Sequence, residues 1–189
     1  MIERVLKLDV SGRPIRWISR EAGALLYCRE QVAWEAGESE LVLFGGVSRQ
    51  TGLRSQLRIN SIIATKAIDR ALVSSPGTPA LTNVRLFRRD DYTCLYCGER
   101  FPSRLLTRDH VVPVSVGGAD IWENVATACR ACNQRKADRS LESLGWQLLA
   151  LPYVPNRAEG LILENRTILA DQMAFLRGYV GSDRRGRLN

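Results

Sequence analysis

The sequence predicts an α+β protein, and three observations support that prediction. Apolar and polar residues alternate from Val5 to Val10, as they do along a half-buried β-strand. Four of the five cysteines form two C-x-x-C pairs, which indicate a compact region organised around a bound metal ion. Apolar residues recur at helical spacing from about Leu161 to Val180, so a packed C-terminal helix is expected.

Composition divides the 189 residues into three predicted segments. Residues 1–80 are expected to form a small mixed α/β region of unknown role, and residues 81–150 contain the motifs described below. Residues 151–189 are expected to form a helical extension with a frayed, arginine-rich tail over Ser182–Asn189. The first boundary rests on the serine, proline, glycine and threonine residues at 74–79, which are typical of a linker.

Turn and capping residues locate the elements of the first segment. Ser19 has the side chain of a helix N-cap, and a short helix is expected to follow it. Residues 59–71 fit either a strand or a helix. Strands are expected at Val5–Val10, Pro14–Ile18, Val32–Trp34 and Leu41–Phe44.

In the second segment, strand composition extends over Leu106–Val116 and is interrupted at Pro113. Asp120 is predicted to cap a short helix over Ile121–Ala126, because aspartate side chains accept hydrogen bonds from the first amides of a helix. A further helix is predicted to follow the second cysteine pair through Ala137.

The charge balance favours an anionic partner without identifying one. Lys and Arg number 27 against 20 Asp and Glu, which gives a net charge of +7. The charge is spread along the chain, so a basic globular protein with another role would have the same composition. No stretch reaches the roughly 18 apolar residues that a membrane span needs. The first four residues, Met-Ile-Glu-Arg, lack the apolar core of a signal peptide, so a cytoplasmic protein is expected.

The spacing of the cysteines indicates a structural zinc site. Zn²⁺ prefers four tetrahedral ligands, and four thiolates close its coordination shell. The spacer between the pairs is longer than in a plain zinc ribbon, so folded elements are expected within it. The alternative is four unrelated buried cysteines, and Cys28, outside the pattern, is expected to be a buried apolar residue. The four predicted ligands are Cys94, Cys97, Cys129 and Cys132.

The only histidine of the chain, His110, lies between the two cysteine pairs. Asp109 precedes it and Asn133 follows the second pair, so both could supply oxygen ligands to a divalent ion. A neutral imidazole near such an ion can accept a proton from water, and the ion can offset charge on a phosphodiester. These residues indicate hydrolysis of a nucleic-acid backbone. A single histidine excludes sites that require two imidazoles.

Residues 88–145 resemble the HNH endonucleases, whose core is the ββα-metal fold. The matching residues are Tyr92–Cys94, Arg108–Pro113, Gly117–Gly118, Trp122–Val125 and Cys129–Lys136. The segments 5–9 and 14–18 resemble, more weakly, an N-terminal extension that many bacterial members have. The resemblance implies an α+β protein with a ββα-metal nuclease core and a structural four-cysteine zinc site.

The resemblance also implies a role for each polar residue. His110 would be the general base, and Asn124 would hold its imidazole by a hydrogen bond. Asn133 stands at the third motif position, where the name-giving members have histidine, so this is an HNN variant whose amide favours Mg²⁺ or Mn²⁺. Asp109 would be the other ligand of that ion. Because neighbours on a regular strand face opposite sides, Asp109 and His110 reach one site only if the strand twists or ends there.

The expected substrate is DNA, with RNA left open, and a dimer is compatible with the sequence. Alternatives remain for the individual residues: a salt-bridged acid at Asp109, a helix-end residue at Asn124 and a turn residue at Asn133. The alternative function is a non-catalytic, zinc-stabilised module that binds nucleic acid or a protein. Phosphate contacts are expected from Arg108, Arg135 and Lys136, and a backbone-binding groove could also involve Arg88, Arg89, Arg100 and Arg104.

Overall fold

The structure is a computed structural model that describes residues 4–66, 77–165, 167–182 and 184. The strands are β1 (Arg4–Leu8), β2 (Pro14–Ser19), β3 (Val32–Val47), β4 (Arg54–Thr65), β5 (Leu106–His110) and β6 (Val125–Cys129). The helices are α1 (Arg20–Cys28), α2 (Asn83–Arg89), α3 (Arg130–Lys136), α4 (Leu141–Leu144), α5 (Arg157–Glu164) and α6 (Ala170–Arg177). The α+β class predicted from the sequence is confirmed.

Packing groups these elements into two compact units. The first unit lies within residues 1–77 and 157–180, and the second lies within residues 78–156 and 181–189. The sequence-based division placed residues 151–189 in a separate extension, whereas α5 and α6 belong to the unit that contains β1 to β4. Residues 74–76 of the predicted linker, and most of the predicted frayed tail, lie outside the described residues.

The first unit is built on a four-stranded sheet of order β2-β1-β4-β3. β1 pairs antiparallel with β2 and parallel with β4, and β4 pairs antiparallel with β3. The predicted first two strands are confirmed, although β1 ends at Leu8 because the Asp9 carboxylate and carbonyl accept hydrogen bonds within the following turn. The two strands predicted at 32–34 and 41–44 are parts of the single strand β3. The ambiguous segment from residue 59 is strand as far as Thr65, and residues 67–71 lie outside the described part of the chain.

Helix α1 begins as the sequence predicts. The Ser19 hydroxyl accepts a hydrogen bond from the Ala22 amide at 3.2 Å, which satisfies one of the free donors of the first turn. Gly23 faces the sheet so closely that a Cβ there would lie 3.0 Å from Cδ1 of Ile59. Cys28 is exposed, so the expectation of a buried cysteine was wrong. It lies five residues after Gly23, about 140° around the helix from the packed face.

The predicted single helix over Leu161–Val180 was wrong, because two helices are present. Between them, the Asn165 side chain hydrogen-bonds both the amide and the carbonyl of Thr167, at 3.2 and 3.1 Å. Such local bonds offer the backbone an alternative to the helix. The Gln172 side chain then accepts from the Leu169 amide and begins α6. Nε2 of the Gln172 side chain also donates to the backbone carbonyls of Arg4 and Ser61, which attaches α6 to the sheet.

The second unit contains an antiparallel hairpin, β5-β6, followed directly by α3. The ββα arrangement implied by the resemblance is therefore present. The helix predicted over 121–126 was wrong: residues 122–124 form a single 3₁₀ turn, and Val125 starts β6. Tertiary burial decides this difference, because all five residues of β6 are buried against their surroundings. α3 starts at Arg130, with Cys129 as its N-cap.

Arg89 is the polar centre of the second unit, so it cannot belong to a surface groove. Its guanidinium is buried and forms an ion pair with Asp90 at 2.8 Å. It also donates to the carbonyls of Trp122, Val125 and Tyr153 at 2.7–3.1 Å. The apolar side chains of this core are Leu86, Phe87, Leu106, Trp122 and Val125.

The helices of the described residues are short. The longest, α1, has nine residues. None of the helices within the described ranges has the length and apolar character that crossing a lipid bilayer requires.

Candidate active site and metal centre

The two cysteine pairs come together at one end of the hairpin. The first pair lies in a turn after α2, which Gly98 closes with a positive φ of 80° and a hydrogen bond to the Cys94 carbonyl. The second pair spans the end of β6 and the first turn of α3, where the Cys132 amide lies 3.4 Å from the Cys129 sulfur. The sulfur atoms that lie within 4.8 Å of one another belong to Cys94, Cys97, Cys129 and Cys132.

Electrostatics favours a cation among these sulfurs. Burial raises the pKa of the Cys132 thiol, and so do its hydrogen bond with Cys129 and the charge of Cys94. Burial also raises the pKa of Cys94, but amide donors of residues 129, 97 and 96 outweigh that effect and lower it. Four sulfurs this close form thiolates together only with a positive partner. Bonds of about 2.3 Å in a tetrahedron separate the sulfurs by roughly 3.8 Å, so the donor set fits Zn²⁺.

His110 is the last residue of β5, and Asp109 directly precedes it on the same strand. Asp109 pairs with Ala126 and His110 with Val125 across the hairpin. Both residues contribute to the lining of one pocket of about 240 Å³, although their side chains have different partners, as described below. The other polar side chains that line this pocket are Arg108, Asn133, Lys136 and Asp138.

The contact that the imidazole makes is one that the sequence did not predict. Nε2 of His110 lies 2.9 Å from Oδ1 of Asp120, which belongs to the loop between the two strands. Asp120 also accepts two hydrogen bonds from Nη1 of Arg108, at 2.6 and 2.8 Å. The hydrogen bond to Arg108 and the one to His110 outweigh burial and lower the pKa of Asp120, so it is a carboxylate at neutral pH. A carboxylate at Nε2 favours the tautomer that has its proton on Nε2.

Asn124 has a different contact from the one implied by the resemblance. Its Oδ1 accepts from the Val112 amide at 2.9 Å, and its Nδ2 donates to the carbonyls of Val112 and Ala119. Both amide hydrogens of the side chain are used, so Asn124 holds the loop after His110 and not the imidazole itself. Gly118 lies in the same loop, where a Cβ would overlap the Val112 carbonyl. The loop is therefore closely packed around this asparagine.

Asp109 and Lys136 form a buried pair beside the histidine. Their side chains are 5% and 1% exposed, and Nζ of Lys136 lies 3.2 Å from Oδ2 of Asp109. Nζ also donates to the His110 carbonyl at 2.7 Å. Because its ammonium is enclosed in this way, Lys136 is not available for the predicted phosphate contact. The hydroxyl of Tyr96 donates to Asp109 as well, and burial together with that carboxylate raises the pKa of Tyr96.

The remaining predicted site residues differ in their solvent exposure. Asn133 lines the pocket, and its Nδ2 donates to Oγ1 of Thr107 at 2.9 Å, so the amide is held against β5. Arg108 is 19% exposed, and its Nε donates to Asn83. Arg135 is exposed, with its guanidinium 5.4 Å from the ring centre of Trp146.

Asp120, Tyr96 and Thr107 were missed as partners of the predicted site residues. For Asp120 the signal is the hairpin register, because pairing of residue 110 with residue 125 requires the intervening loop to return past the histidine. An acid in that loop was therefore a candidate partner, although the sequence alone favoured a helix cap at this position.

Comparison with known families agrees with the geometry. Residues 94–149 match the family model described as HNH endonuclease, and this range includes both cysteine pairs, His110, Asn124 and Asn133. A search of curated proteins finds no match to the chain. The matched range coincides with the ββα elements and with the four cysteines that are positioned to bind a metal ion. The similarity to HNH endonucleases therefore extends over residues 94–149 of this chain.

Proposed function

We propose that the protein is a metal-dependent endonuclease that hydrolyses DNA phosphodiester bonds. The observation that carries this proposal is the pocket in which His110, Asp109 and Asn133 meet at the end of β5. An imidazole and two oxygen donors at one opening are the groups that backbone hydrolysis needs. The match to HNH endonucleases supports the same reaction class.

His110 acts as the general base in this proposal. Asp120 at Nε2 keeps the proton on that nitrogen, so the lone pair on Nδ1 accepts a proton from the attacking water. Arg108 holds Asp120 in turn through two hydrogen bonds. Asn124 acts through the backbone: it fixes Val112, and its carbonyl accepts from the Val111 amide, so the chain after His110 is held in place.

The catalytic cation would be held by Asp109 and Asn133. A carboxylate and an amide oxygen suit Mg²⁺ or Mn²⁺, which keep several waters and use substrate phosphate as a further ligand. When bound, the ion supplies positive charge that offsets the phosphate and the leaving oxygen. Lys136 and Tyr96 contact the same carboxylate, so the ion would share Asp109 with both of them.

The four cysteines are proposed to bind a structural Zn²⁺ that takes no part in the reaction. They join the turn after α2 to the junction of β6 and α3, and so hold the two halves of the domain together. Cysteines that bind a metal ion have to stay reduced, and a reducing compartment keeps them so, which supports a cytoplasmic location. Arg135 is exposed and is the candidate for a phosphate contact.

A plasmid-relaxation assay at low salt tests the proposal. Zinc-loaded wild type is expected to nick or linearise plasmid with Mg²⁺ or Mn²⁺ and to be inactive without added divalent ion. His110→Ala is expected to slow cleavage by about 10² to 10⁴-fold, as loss of a general base does. Equal cleavage by both proteins would contradict the assignment of the base. No cleavage by a folded wild type, together with salt-sensitive binding, would favour the non-catalytic module.

A further inference from the structure

The hairpin of β3 and β4 continues beyond the sheet as an exposed ribbon. Its last buried pair is Leu41 opposite Ile59, which are 5% and 1% exposed. Residues 44–56 lie past that pair, and every one of them is exposed. We call residues 44–56 the ribbon tip. The tip contains the last four residues of β3 and the first three of β4, which at about 3.3 Å per residue extend roughly 10 to 13 Å before the turn is added.

The ribbon tip is basic and partly apolar. Arg49 and Arg54 are its charged residues, and the segment contains no acid. Three large apolar side chains are also exposed there, at 60%, 63% and 72%: Phe44, Val47 and Leu53. An unsupported two-stranded ribbon that exposes such residues gains little stability from them. A partner surface that is anionic and also offers apolar contacts would explain the combination.

The tip is ordered by its own hydrogen bonds. The Ser48 amide donates to the Leu53 carbonyl, and the Gly52 amide donates back to the Ser48 carbonyl, both at 2.9 Å. Nε of Arg54 donates to the Gly45 carbonyl at 3.1 Å, and the Arg54 guanidinium lies 5.3 Å from the ring centre of Phe44. The terminal amino groups of Arg54 take no part in the Gly45 bond. A rigid ribbon with a pre-positioned guanidinium needs little ordering when it binds.

No contact within the described residues requires a glycine at position 46. A Cβ there would meet no atom of the described residues within 4 Å, and its φ is not in the positive range. Exposed strand positions otherwise favour β-branched residues. A glycine of this kind suits a place where another backbone approaches closely.

We propose that the ribbon tip docks into the major groove of duplex DNA. That groove is about 12 Å wide and 8.5 Å deep, and it admits a two-stranded ribbon. Arg49 and Arg54 contact phosphates, and the apolar side chains contact thymine methyl groups and sugars. The choice of duplex DNA rests on the proposed function. A second copy of the ribbon is a poorer partner, because it would bring the same positive charges together.

The test measures affinity for a labelled 20-base-pair duplex as a function of salt, with the full-length, zinc-loaded chain. All proteins contain His110→Ala, and no divalent ion is added, so the duplex stays intact. Replacing Arg49 and Arg54 with alanine is expected to weaken binding about tenfold or more at 0.1 M salt. The slope of log K against log salt is expected to fall by about 1.8, which corresponds to two phosphate contacts.

Two matched variants control for charge. Arg13→Ala with Arg16→Ala removes the same two charges from exposed positions on and beside β2, the opposite edge strand, and is expected to leave the slope unchanged. Arg49→Lys with Arg54→Lys keeps the charge and is expected to retain most of the slope. The proposal is overturned if replacing Arg49 and Arg54 with alanine changes the affinity and the salt slope no more than replacing Arg13 and Arg16 does.

Two other partners would give distinct outcomes. Equal binding of an RNA duplex would overturn groove docking, because the deep, narrow groove of A-form RNA excludes a ribbon. Loss of a dimer in sedimentation, with DNA binding unchanged, would assign the ribbon tip to a second copy. Failure of the nuclease proposal would appear in the plasmid assay and would leave this binding result interpretable.

Discussion

The first unit buries a continuous set of aliphatic side chains, whereas the second unit places a cysteine cluster and a buried arginine at its centre. The buried positions of β1 and β4 include Val5, Leu6, Ile59, Ile62 and Ile63. Such burial stabilises a sheet without any cofactor. The second unit has a small apolar cluster and short elements, so ligation and polar contacts have to contribute more.

This difference explains where the candidate site lies. Metal ligands and buried ion pairs hold side chains at defined positions on short elements, which a reactive site requires. The same arrangement makes the second unit dependent on each polar partner. The predictions below test that contrast, from the largest effect to the smallest.

Loss of a metal ion from the four cysteines is expected to have the largest effect, and to affect the second unit but not the first. Cys94→Ser, or chelation of the wild type, is expected to remove about 10 kcal/mol from the folding of the second unit. Peptides of residues 94–136 should lose protection from hydrogen exchange, while those of β1 and β4 keep it. Cys28→Ser is the matched control, because Cys28 is exposed in α1 and should change neither set. Unchanged protection in Cys94→Ser would contradict a metal-dependent fold.

Removal of the buried guanidinium should have the next largest effect. Arg89→Met keeps much of the side-chain volume but removes the ion-pair partner of Asp90 and the hydrogen bonds that Arg89 donates to three carbonyls. The expected loss is about 3–5 kcal/mol in the free energy of unfolding of the second unit, measured by urea unfolding. Arg104→Met, at an exposed position of the same unit, should change stability by less than about 0.5 kcal/mol. Similar values for both variants would rule out a central role for Arg89.

Asp120→Asn should affect the reaction and leave the fold intact. Loss of the negative charge at Nε2 weakens the preference for one imidazole tautomer, so kcat is expected to fall about tenfold with little change in KM. Because the chain has one histidine, ¹⁵N NMR of labelled protein reports this tautomer directly. Glu123→Gln is the control, since Glu123 is a nearby exposed acid. An unchanged imidazole spectrum in Asp120→Asn would exclude the positioning role.

The smallest effect is expected at Asp171, which lies in the first unit. Its carboxylate accepts from the amides of Glu38 and Ser39 and from the Ser61 hydroxyl, at 2.7–3.1 Å. Burial raises the pKa of Asp171, but the Ser39 amide and the Ser61 hydroxyl outweigh burial and lower it. Asp171→Asn is therefore expected to cost about 1 kcal/mol at pH 6.

The pH dependence of that loss follows from the direction of the shift. A lowered pKa contributes stability that is complete above the unfolded pKa, near 4, and is lost as pH falls through the folded value. The difference between wild type and Asp171→Asn should therefore shrink between pH 6 and pH 3, as measured by urea unfolding with exchange protection of β4. Glu38→Gln, at an exposed position, should show no such dependence. A constant difference across this range would contradict the role of the carboxylate.

Local sequence was sufficient for elements that depend on neighbouring residues. The Ser19 cap, the first two strands and the cysteine pairs were each predicted from a pattern only a few residues long. The hairpin and helix implied by the family resemblance were also predicted correctly, because the spacing of the motif residues is present in the sequence. The roles predicted for His110, Asn124, Asn133 and Asp109 stay predictions until activity is measured.

Contacts between distant residues account for the strand at 125–129, whereas local hydrogen bonds account for the break in the predicted C-terminal helix. Residues 121–126 were predicted as a helix, but pairing with β5 and full burial make Val125–Cys129 a strand. The apolar stripe over 161–180 was present, but Asn165 interrupts it, and α6 attaches to the sheet through Gln172.

What the sequence by itself determined is the chemical inventory: four thiols in two pairs, one imidazole, and the asparagines spaced around them. Tertiary structure decided which groups meet. It placed Asp120 against His110 and enclosed Lys136 with Asp109, and it buried Arg89 among backbone carbonyls. The physical reason is that charge, hydrogen-bonding capacity and local propensity belong to single residues and short segments. Burial and pairing depend on the path of the whole chain, which no local pattern contains.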